Sequence, residues 1–381
     1  MSWLDLYLDY TAEFESPASF HFWCGVSAIA ACLNRNVWTR LGSEIFYPNH
    51  YIILISPSAI ARKSTAMEKA VNLLRKAGGV NVLYDKATDS ALWFIMSALT
   101  LEHGVSNLFI HVDELSTMFT NEDASAHLIS SLTRMYMSPE HLEKTTKGEG
   151  RREVSMPCVN FLGGTTPTDL MVIFPGATTG MGFSGRCLFI YEPGPRHRNP
   201  LPELHMKAEQ PLVMKLREYQ KLKGEIPLDQ TAVEYYKEWY EKMPALLTND
   251  ADSTFIARSH VHMMHLALVL AVSKGEATIT RMTLIEAQKH LMHVQENLKL
   301  TIHLVGRSES LQDMETFIGM LAKCGGKADR GTLLRMNRLD AKRLSMAAEG
   351  LRQAERITWD VKASGKKPKT VYRFVREGEK E

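Results

Sequence analysis

The run Ser56-Pro57-Ser58-Ala59-Ile60-Ala61-Arg62-Lys63-Ser64-Thr65 brings together the side chains that hold a nucleoside triphosphate. A phosphate-binding loop needs backbone N–H groups curled around the β-phosphate, a lysine that reaches the β- and γ-phosphates, and a hydroxyl at the start of a helix to ligate magnesium. Lys63 and Ser64 supply the last two. Ser58, Ala61, Arg62, Lys63, Ser64 and Thr65 are the expected nucleotide-binding set, with ATP and Mg2+ as ligands. Pro57 and Arg62 stand where the pattern G-x-x-x-x-G-K-[ST] has glycine, and glycine's freedom at positive φ is what normally lets such a loop close. Taken alone, the segment fits equally well a helix capped by Ser64 or Thr65 with a basic first turn.

The second requirement of this chemistry is a carboxylate pair at the end of a buried strand. Leu108-Phe109-Ile110-His111-Val112 is an apolar run ending in Asp113-Glu114. Asp113 is expected to hold magnesium through its water shell, and Glu114 to polarise the attacking water. The alternative, that both acids merely cap the next helix, leaves two carboxylates at a strand end unused. Gly163-Gly164-Thr165-Thr166 ends a further strand, where Thr165 or Thr166 can sense the γ-phosphate or orient the water; a plain strand-to-helix turn is the competing reading. Arg186, at the start of another apolar strand, is a candidate finger toward a neighbour's γ-phosphate or else a surface residue, with Arg258 a second candidate.

Basic residues gather in two other places. Lys144, Lys147, Arg151 and Arg152 lie close together around a Lys-Gly-Glu-Gly tip. Such a hairpin is ordinarily a solvated edge, but in a ring it can face a pore through which single-stranded DNA passes. From Lys323 onward basic residues outnumber acidic ones, although the whole chain carries a formal charge of only +2. Lys342 and Arg343 on the helix 341–352, and Lys366 and Lys367 in the linker 363–369, are candidate contacts to duplex DNA. A protein-docking module is the alternative for this region. His260, His262 and His265 stand close together but without a neighbouring acid or cysteine, and are expected to pack rather than bind metal.

These residues need elements to position them. Phe20, Trp23, Val26, Ala30 and Leu33 recur at helical spacing, so residues 1–48 are expected to form a helical segment. Tyr51-Ile52-Ile53-Leu54-Ile55 reads as a strand covered on both faces, followed by a loop and a helix over 64–76. Strands are expected at 80–84, 108–112, 159–162 and 187–191, helices at 90–101 and 124–137, and a hairpin over 143–153. The proline-dense stretch 193–202 closes the sheet. Residues 212–307 have an almost wholly helical pattern, and beyond 311 the order helix, turn, helix, helix, strand, strand describes a winged helix. The fold class is therefore α/β: a P-loop NTPase sheet of AAA+ or RecA type over 49–200, a helical lid over 201–307 and a winged helix over 308–381.

Composition agrees with a globular chain of two or three domains: 381 residues, 45% hydrophobic and 23% charged. Five scattered cysteines without C-x-x-C spacing read as reduced thiols rather than a zinc site. The longest apolar run, 263–272, is about half the ~20 residues a bilayer span needs, so no membrane association is expected and the compartment is the cytoplasm of a host cell.

In order along the chain, Tyr47-Pro48-Asn49, the loop ending Arg62-Lys63-Ser64, the strand ending Asp113-Glu114-Leu115, a basic hairpin, Leu162-Gly163-Gly164-Thr165-Thr166-Pro167 and Gly182-Phe183-Ser184-Gly185-Arg186 resemble the P-loop domain of phage- and plasmid-borne primase/helicase-like proteins. That family is similar to the hexameric superfamily 3 and AAA+ replicative helicases. The resemblance spans about residues 10 to 200. It implies a homo-oligomeric ring, a hexamer, that hydrolyses ATP between subunits and unwinds or translocates on DNA during phage or plasmid replication, without a priming domain. The alternatives are a helicase loader or origin-binding initiator, and a DNA-binding scaffold whose phosphate loop has decayed.

Overall fold

The computed structural model describes residues 1–84, 86–119, 122–146, 150–173, 182–203, 206–243, 253–336, 338–353, 357–362 and 369–374. It divides into two compact units, Met1–Ile302 and His303–Glu381.

The first unit opens with helices α1 (Trp3–Tyr10) and α2 (Ala18–Leu33), then strands β1 (Val37–Leu41) and β2 (Glu44–Phe46). α2 is buried from Phe20 to Leu33, as a helix apolar on every face must be. There follow β3 (Tyr51–Ile55), α3 (Lys63–Ala77), β4 (Val82–Tyr84), α4 (Asp89–His103), β5 (Ser106–Val112), the short α5 (Leu115–Met118) and α6 (Glu122–Tyr136). The hairpin β6 (His141–Thr146) and β7 (Gly150–Ser155) precedes β8 (Pro157–Thr165), α7 (Pro167–Ile173) and β9 (Cys187–Tyr191). The unit continues through α8 (Met206–Tyr219), β10 (Gly224–Glu225), α9 (Gln230–Lys242), α10 (Ser253–Lys274) and the first part of α11 (Arg281–Lys323).

Five strands form a sheet in the order β4-β5-β8-β3-β9, and every pairing is parallel. β3 lies inside it with all five residues fully buried, which is why its sequence is unbroken Tyr-Ile-Ile-Leu-Ile rather than alternating. Because the strands run the same way, their carboxyl ends share one edge. The chain leaves β3 toward β4 on one side, whereas β9 is laid down on the other. Such a reversal opens a crevice beyond the carboxyl ends, where ligands bind in open α/β sheets.

One hydrophobic core runs from Trp3 to Val294, so the helical segment, the sheet and the helices that follow it up to Ile302 pack as parts of a single unit. The expectation of helix throughout the first fifty residues fails at β1 and β2. These pair antiparallel around Gly42, which has φ +61°, and β10 joins β1 in parallel. The membrane reading also changes: Phe255–Lys274 is long and apolar enough to cross a bilayer, although its uninterrupted apolar run is short. It is 78% buried within the unit and serves as a core helix.

The second unit contains the end of α11, β11 (Lys327–Asp329), α12 (Arg330–Arg335), α13 (Ala341–Gln353), β12 (Ile357–Lys362) and β13 (Lys369–Phe374). Its antiparallel sheet has the order β11-β13-β12, and β11 is a strand the sequence pattern did not suggest. Phe317, Leu321, Leu333, Leu344, Leu351 and Tyr372 are central to its separate core.

Candidate functional site

The loop 56–62 leaves the carboxyl end of β3 and enters α3 at Lys63. Two of its residues take the left-handed conformation although neither is glycine: Ala59 at φ 60° and Arg62 at φ 53°. Arg62 occupies the position where the phosphate-loop pattern has its second glycine, so the backbone makes the turn that the residue type disfavours. Arg62 is the N-cap of α3, and among the described residues no side-chain cap hydrogen bond closes the first turn. The N-cap alternative for Ser64 or Thr65 is thereby removed, since both lie inside the helix. Ser64 is exposed at the helix mouth, Thr65 is partly covered, and Ser58 stands exposed on the loop, while Ala61 is buried beneath it.

Lys63 is only 8% exposed. Its Nζ donates to the Ser56 carbonyl at 3.0 Å and to Ser56 Oγ at 3.1 Å, folding the side chain back across its own loop. Burial pushes its ammonium below the usual lysine range, and Glu114, Asp113 and Asp169, in that order, oppose the shift. Three acids therefore face the lysine across the crevice. Asp113 and Glu114 extend from β5, with Asp113 exposed and Glu114 partly covered. Glu114 is the N-cap of α5 without any side-chain cap hydrogen bond, so the capping alternative is removed for Glu114. Among the described residues its Oε1 is buried without a hydrogen-bond partner. Burial pushes this carboxyl above the usual glutamate range, Lys63 opposes the rise, and Asp169 and Asp113 add to it.

The two threonines after β8 separate in role. Thr165 is fully buried, and its hydroxyl lies beside the Glu114 carboxyl and holds that group's pKa back down. Thr166 turns the other way. Its Oγ1 accepts from the Asp169 N–H at 3.1 Å and donates to Asp169 Oδ2 at 2.7 Å, a reciprocal cap at the start of α7. Asp169 itself was not singled out by its sequence; the signal was Thr-x-x-Asp opening an apolar turn. Gly164 explains how the strands bring these groups together. A Cβ there would lie 2.6 Å from the Asp113 carbonyl oxygen and 3.0 Å from Met67 Cε, so glycine allows the end of β5 to close onto α3.

Magnesium fits this donor set. Among the described residues no three His, Cys, Asp or Glu side chains converge as a protein cage. Mg2+ keeps several waters and takes one or two carboxylates plus phosphate oxygens, which the Ser64 hydroxyl, Asp113 and a triphosphate would supply.

Arg186 lies elsewhere. It precedes β9, whose first residue, Cys187, pairs with Tyr51 at the amino end of β3. A five-residue strand at 3.3 Å per residue therefore separates it from the loop by on the order of 15 Å. Its Nη1 donates to the Gly182 carbonyl, its guanidinium lies 6.0 Å from the Tyr136 ring, and its Nε is buried without a partner among the described residues. Burial and then Arg258 lower its pKa, which places the two candidate arginines near each other. Arg258 lines a cleft of about 610 Å³ together with Tyr47, Asn49, Tyr136, His260 and His265.

The basic residues expected on DNA are largely engaged within the fold. Lys144 pairs with Asp89 and lies 5.9 Å from the Trp93 ring. Arg151 reaches Glu143 at 2.9 Å and Glu153 at 3.0 Å, and Arg152 lies 5.0 Å from the Phe94 ring. In the second unit Arg343 makes a two-pronged pair with the buried Asp313, at 2.9 and 2.6 Å, whereas Lys342 is exposed. Lys147, Lys366 and Lys367 lie outside the described residues. The chain matches no protein-family model, and no curated protein matches it at a significant level.

Proposed function

We propose that the chain is a magnesium-dependent ATPase that assembles as a ring of identical subunits and couples hydrolysis to unwinding or translocation of DNA. The observation that carries the ATPase reading is the crevice at the carboxyl edge: a buried lysine facing a glutamate with an orphaned buried oxygen, beside a helix start that no side chain caps. An incoming triphosphate takes the N–H groups of that helix start, and Lys63 exchanges its Ser56 contacts for phosphate oxygens. Ser64 and Asp113 would hold a magnesium ion, which would supply charge neutralisation at the phosphates. Glu114 Oε1 accepts a hydrogen bond from the attacking water and takes its proton as ADP and phosphate separate. A carboxylate raised by burial is the more basic for that step. Thr165 holds Glu114 in place.

Arg186 is on the wrong edge to reach the phosphates of its own subunit, so in this reading it serves a neighbour's site. The order helix, strand, helix, helix, strand, strand in the second unit supports a winged helix, with Lys342 on the exposed face of α13. A second reading, a helicase loader or origin-binding initiator, is favoured by the hairpin, because Lys144 and Arg152 are engaged by Asp89 and the Phe94 ring and the exposed Arg151 is paired with Glu143 and Glu153.

The deciding measurement is ATP turnover with and without DNA, run beside native mass with and without nucleotide. Wild-type turnover should rise with DNA, and Lys63→Ala should lose it while keeping its circular dichroism spectrum. Equal turnover by Lys63→Ala would remove the assignment. Turnover without strand separation selects the loader reading.

A further inference from the structure

The left-handed Arg62 is held by groups outside its loop. Its carbonyl oxygen accepts from Ser16 Oγ at 2.9 Å, and Ser16 is fully buried. Its Nε donates to Glu15 Oε2 at 3.0 Å. Glu15 is fixed in turn: its Oε1 accepts from the Asn199 N–H at 3.2 Å, and its carbonyl accepts from the Arg196 N–H at 3.0 Å. Asn199 Nδ2 also reaches Glu13, whose carbonyl and carboxylate accept at 3.2 and 2.9 Å. The stretches 13–16 and 196–199, one between α1 and α2 and the other after β9, thus meet at Glu15 and grip the residue that stands in for glycine.

We propose that this clamp does the work of the missing glycine. Glu15 and Ser16 are positioning residues that keep the phosphate loop in its binding conformation before nucleotide arrives. A non-glycine residue resists φ > 0, because its Cβ crowds the following carbonyl oxygen. An ordinary phosphate loop avoids that cost by residue type. Here the cost is offset by one buried hydroxyl and one carboxylate acting on the same residue from outside. The inference rests on the nucleotide reading for its purpose, but the clamp itself is a statement about the backbone and has its own readout.

The test is a double-mutant comparison in the full-length chain: wild type, Glu15→Gln, Ser16→Ala and Arg62→Gly, with each clamp change repeated in the Arg62→Gly background. Amide hydrogen exchange of the loop 56–64, without nucleotide, reads the backbone, and binding of Mg-ATP reads the site. Glu15→Gln and Ser16→Ala should each speed loop exchange and weaken Mg-ATP binding about tenfold, the population shift set by the left-handed penalty of a non-glycine residue. Measured against Arg62→Gly alone, both clamp changes made in its background should fall to about twofold or less, since glycine needs no support. Equal losses in both backgrounds, or no loss with Arg62 present, would overturn the clamp. Ser16 is buried and its variant can fail for general reasons, so Glu15→Gln, at a partly exposed side chain, carries the decision. If exchange follows the predicted pattern while no protein binds Mg-ATP, the clamp stands and the nucleotide reading falls.

Discussion

At the carboxyl edge of the five-stranded sheet, Lys63, Asp113, Glu114 and Asp169 share one crevice, and a carboxylate oxygen there is buried without a partner. At the amino edge the polar groups are mostly matched. His50 Nδ1 donates to the Pro48 carbonyl at 2.7 Å, His262 Nε2 to Gly185 at 3.0 Å and His265 Nδ1 to Asn49 at 2.7 Å. Buried polar groups are almost always paired, so the matched edge reads as scaffold and the orphaned one as a site where chemistry completes the pairing. Among the described residues His50 Nε2 and Arg186 Nε are unmatched exceptions at the amino edge, and Arg186 is the charged one.

That exception gives the largest expected effect. If Arg186 completes the crevice of a neighbouring subunit, Arg186→Ala should lower turnover about 10³-fold, in the range of an arginine finger, with Mg-ATP binding intact. Mixing Arg186→Ala with Lys63→Ala subunits should restore part of the turnover, because some interfaces then combine an intact lysine with an intact arginine. Absence of any recovery on mixing would leave Arg186 a structural residue of its own edge.

If Glu114 is the proton acceptor, Glu114→Gln keeps the shape of the crevice but removes that function. Turnover should drop about 100-fold or more, the usual contribution of a positioned base, while ATP stays bound through Lys63. A single-turnover experiment checks this, and prompt hydrolysis by the variant would pass the role to Asp169 or Asp113. The acid limb of the wild-type rate should also sit above the usual glutamate range, since burial raises the Glu114 pKa and only the ionised form accepts the proton.

The crevice was more legible in the sequence than the scaffold around it. Lys63, Ser64 and the Asp113-Glu114 pair could be read because their types sit at the ends of unmistakable apolar runs. That Thr165 faces Glu114 while Thr166 caps α7 could not be, because a one-residue shift at a strand end reverses the direction of a side chain. β1 and β2 were missed although the signal was present: Val37 and Thr39 are buried, Trp38 and Arg40 alternate with them, and Gly42-Ser43 makes the two-residue turn. The apolar periodicity of α2 drowned that short alternation. Neither the clamp at Glu15 and Ser16 nor the ion pairs of Lys144 and Arg343 could be inferred, since each joins residues brought together only by tertiary packing.

A smaller effect tests how closely the two strands must approach. Gly164→Ala places a Cβ 2.6 Å from the Asp113 carbonyl oxygen, a backbone atom that cannot swing aside. Overpacking of this kind costs about 1–3 kcal/mol, and displacing the strand end that carries Asp113 and Glu114 should lower turnover about tenfold if the proposed site is correct. Gly163→Ala meets mainly the Leu115 and Phe161 side chains and should cost less. Urea midpoints and turnover of both variants rank the two contacts, and equal behaviour would mean that the approach of β5 to α3 is not what Gly164 protects.

The matched edge makes a prediction about acid. Burial holds His50 near a pKa of about 4 and His262 near about 3, against an ordinary 6.5. His262 is satisfied on both ring nitrogens when neutral, donating from Nε2 to Gly185 and accepting at Nδ1 from the Tyr136 hydroxyl at 3.2 Å. The unfolded chain takes up protons below pH 6.5 and the folded chain does not. The stability these residues contribute is therefore complete above 6.5 and erodes as the pH falls toward the folded values. Each such histidine should cost about 1.4 kcal/mol per pH unit within that window. Unfolding free energies measured between pH 7.5 and 5.0 give the slope, and His262→Gln should flatten it by about one proton whatever it does to the absolute stability. An unchanged slope would mean that His262 is already protonated in the fold, and the amino edge would then hold a buried charge like the opposite one.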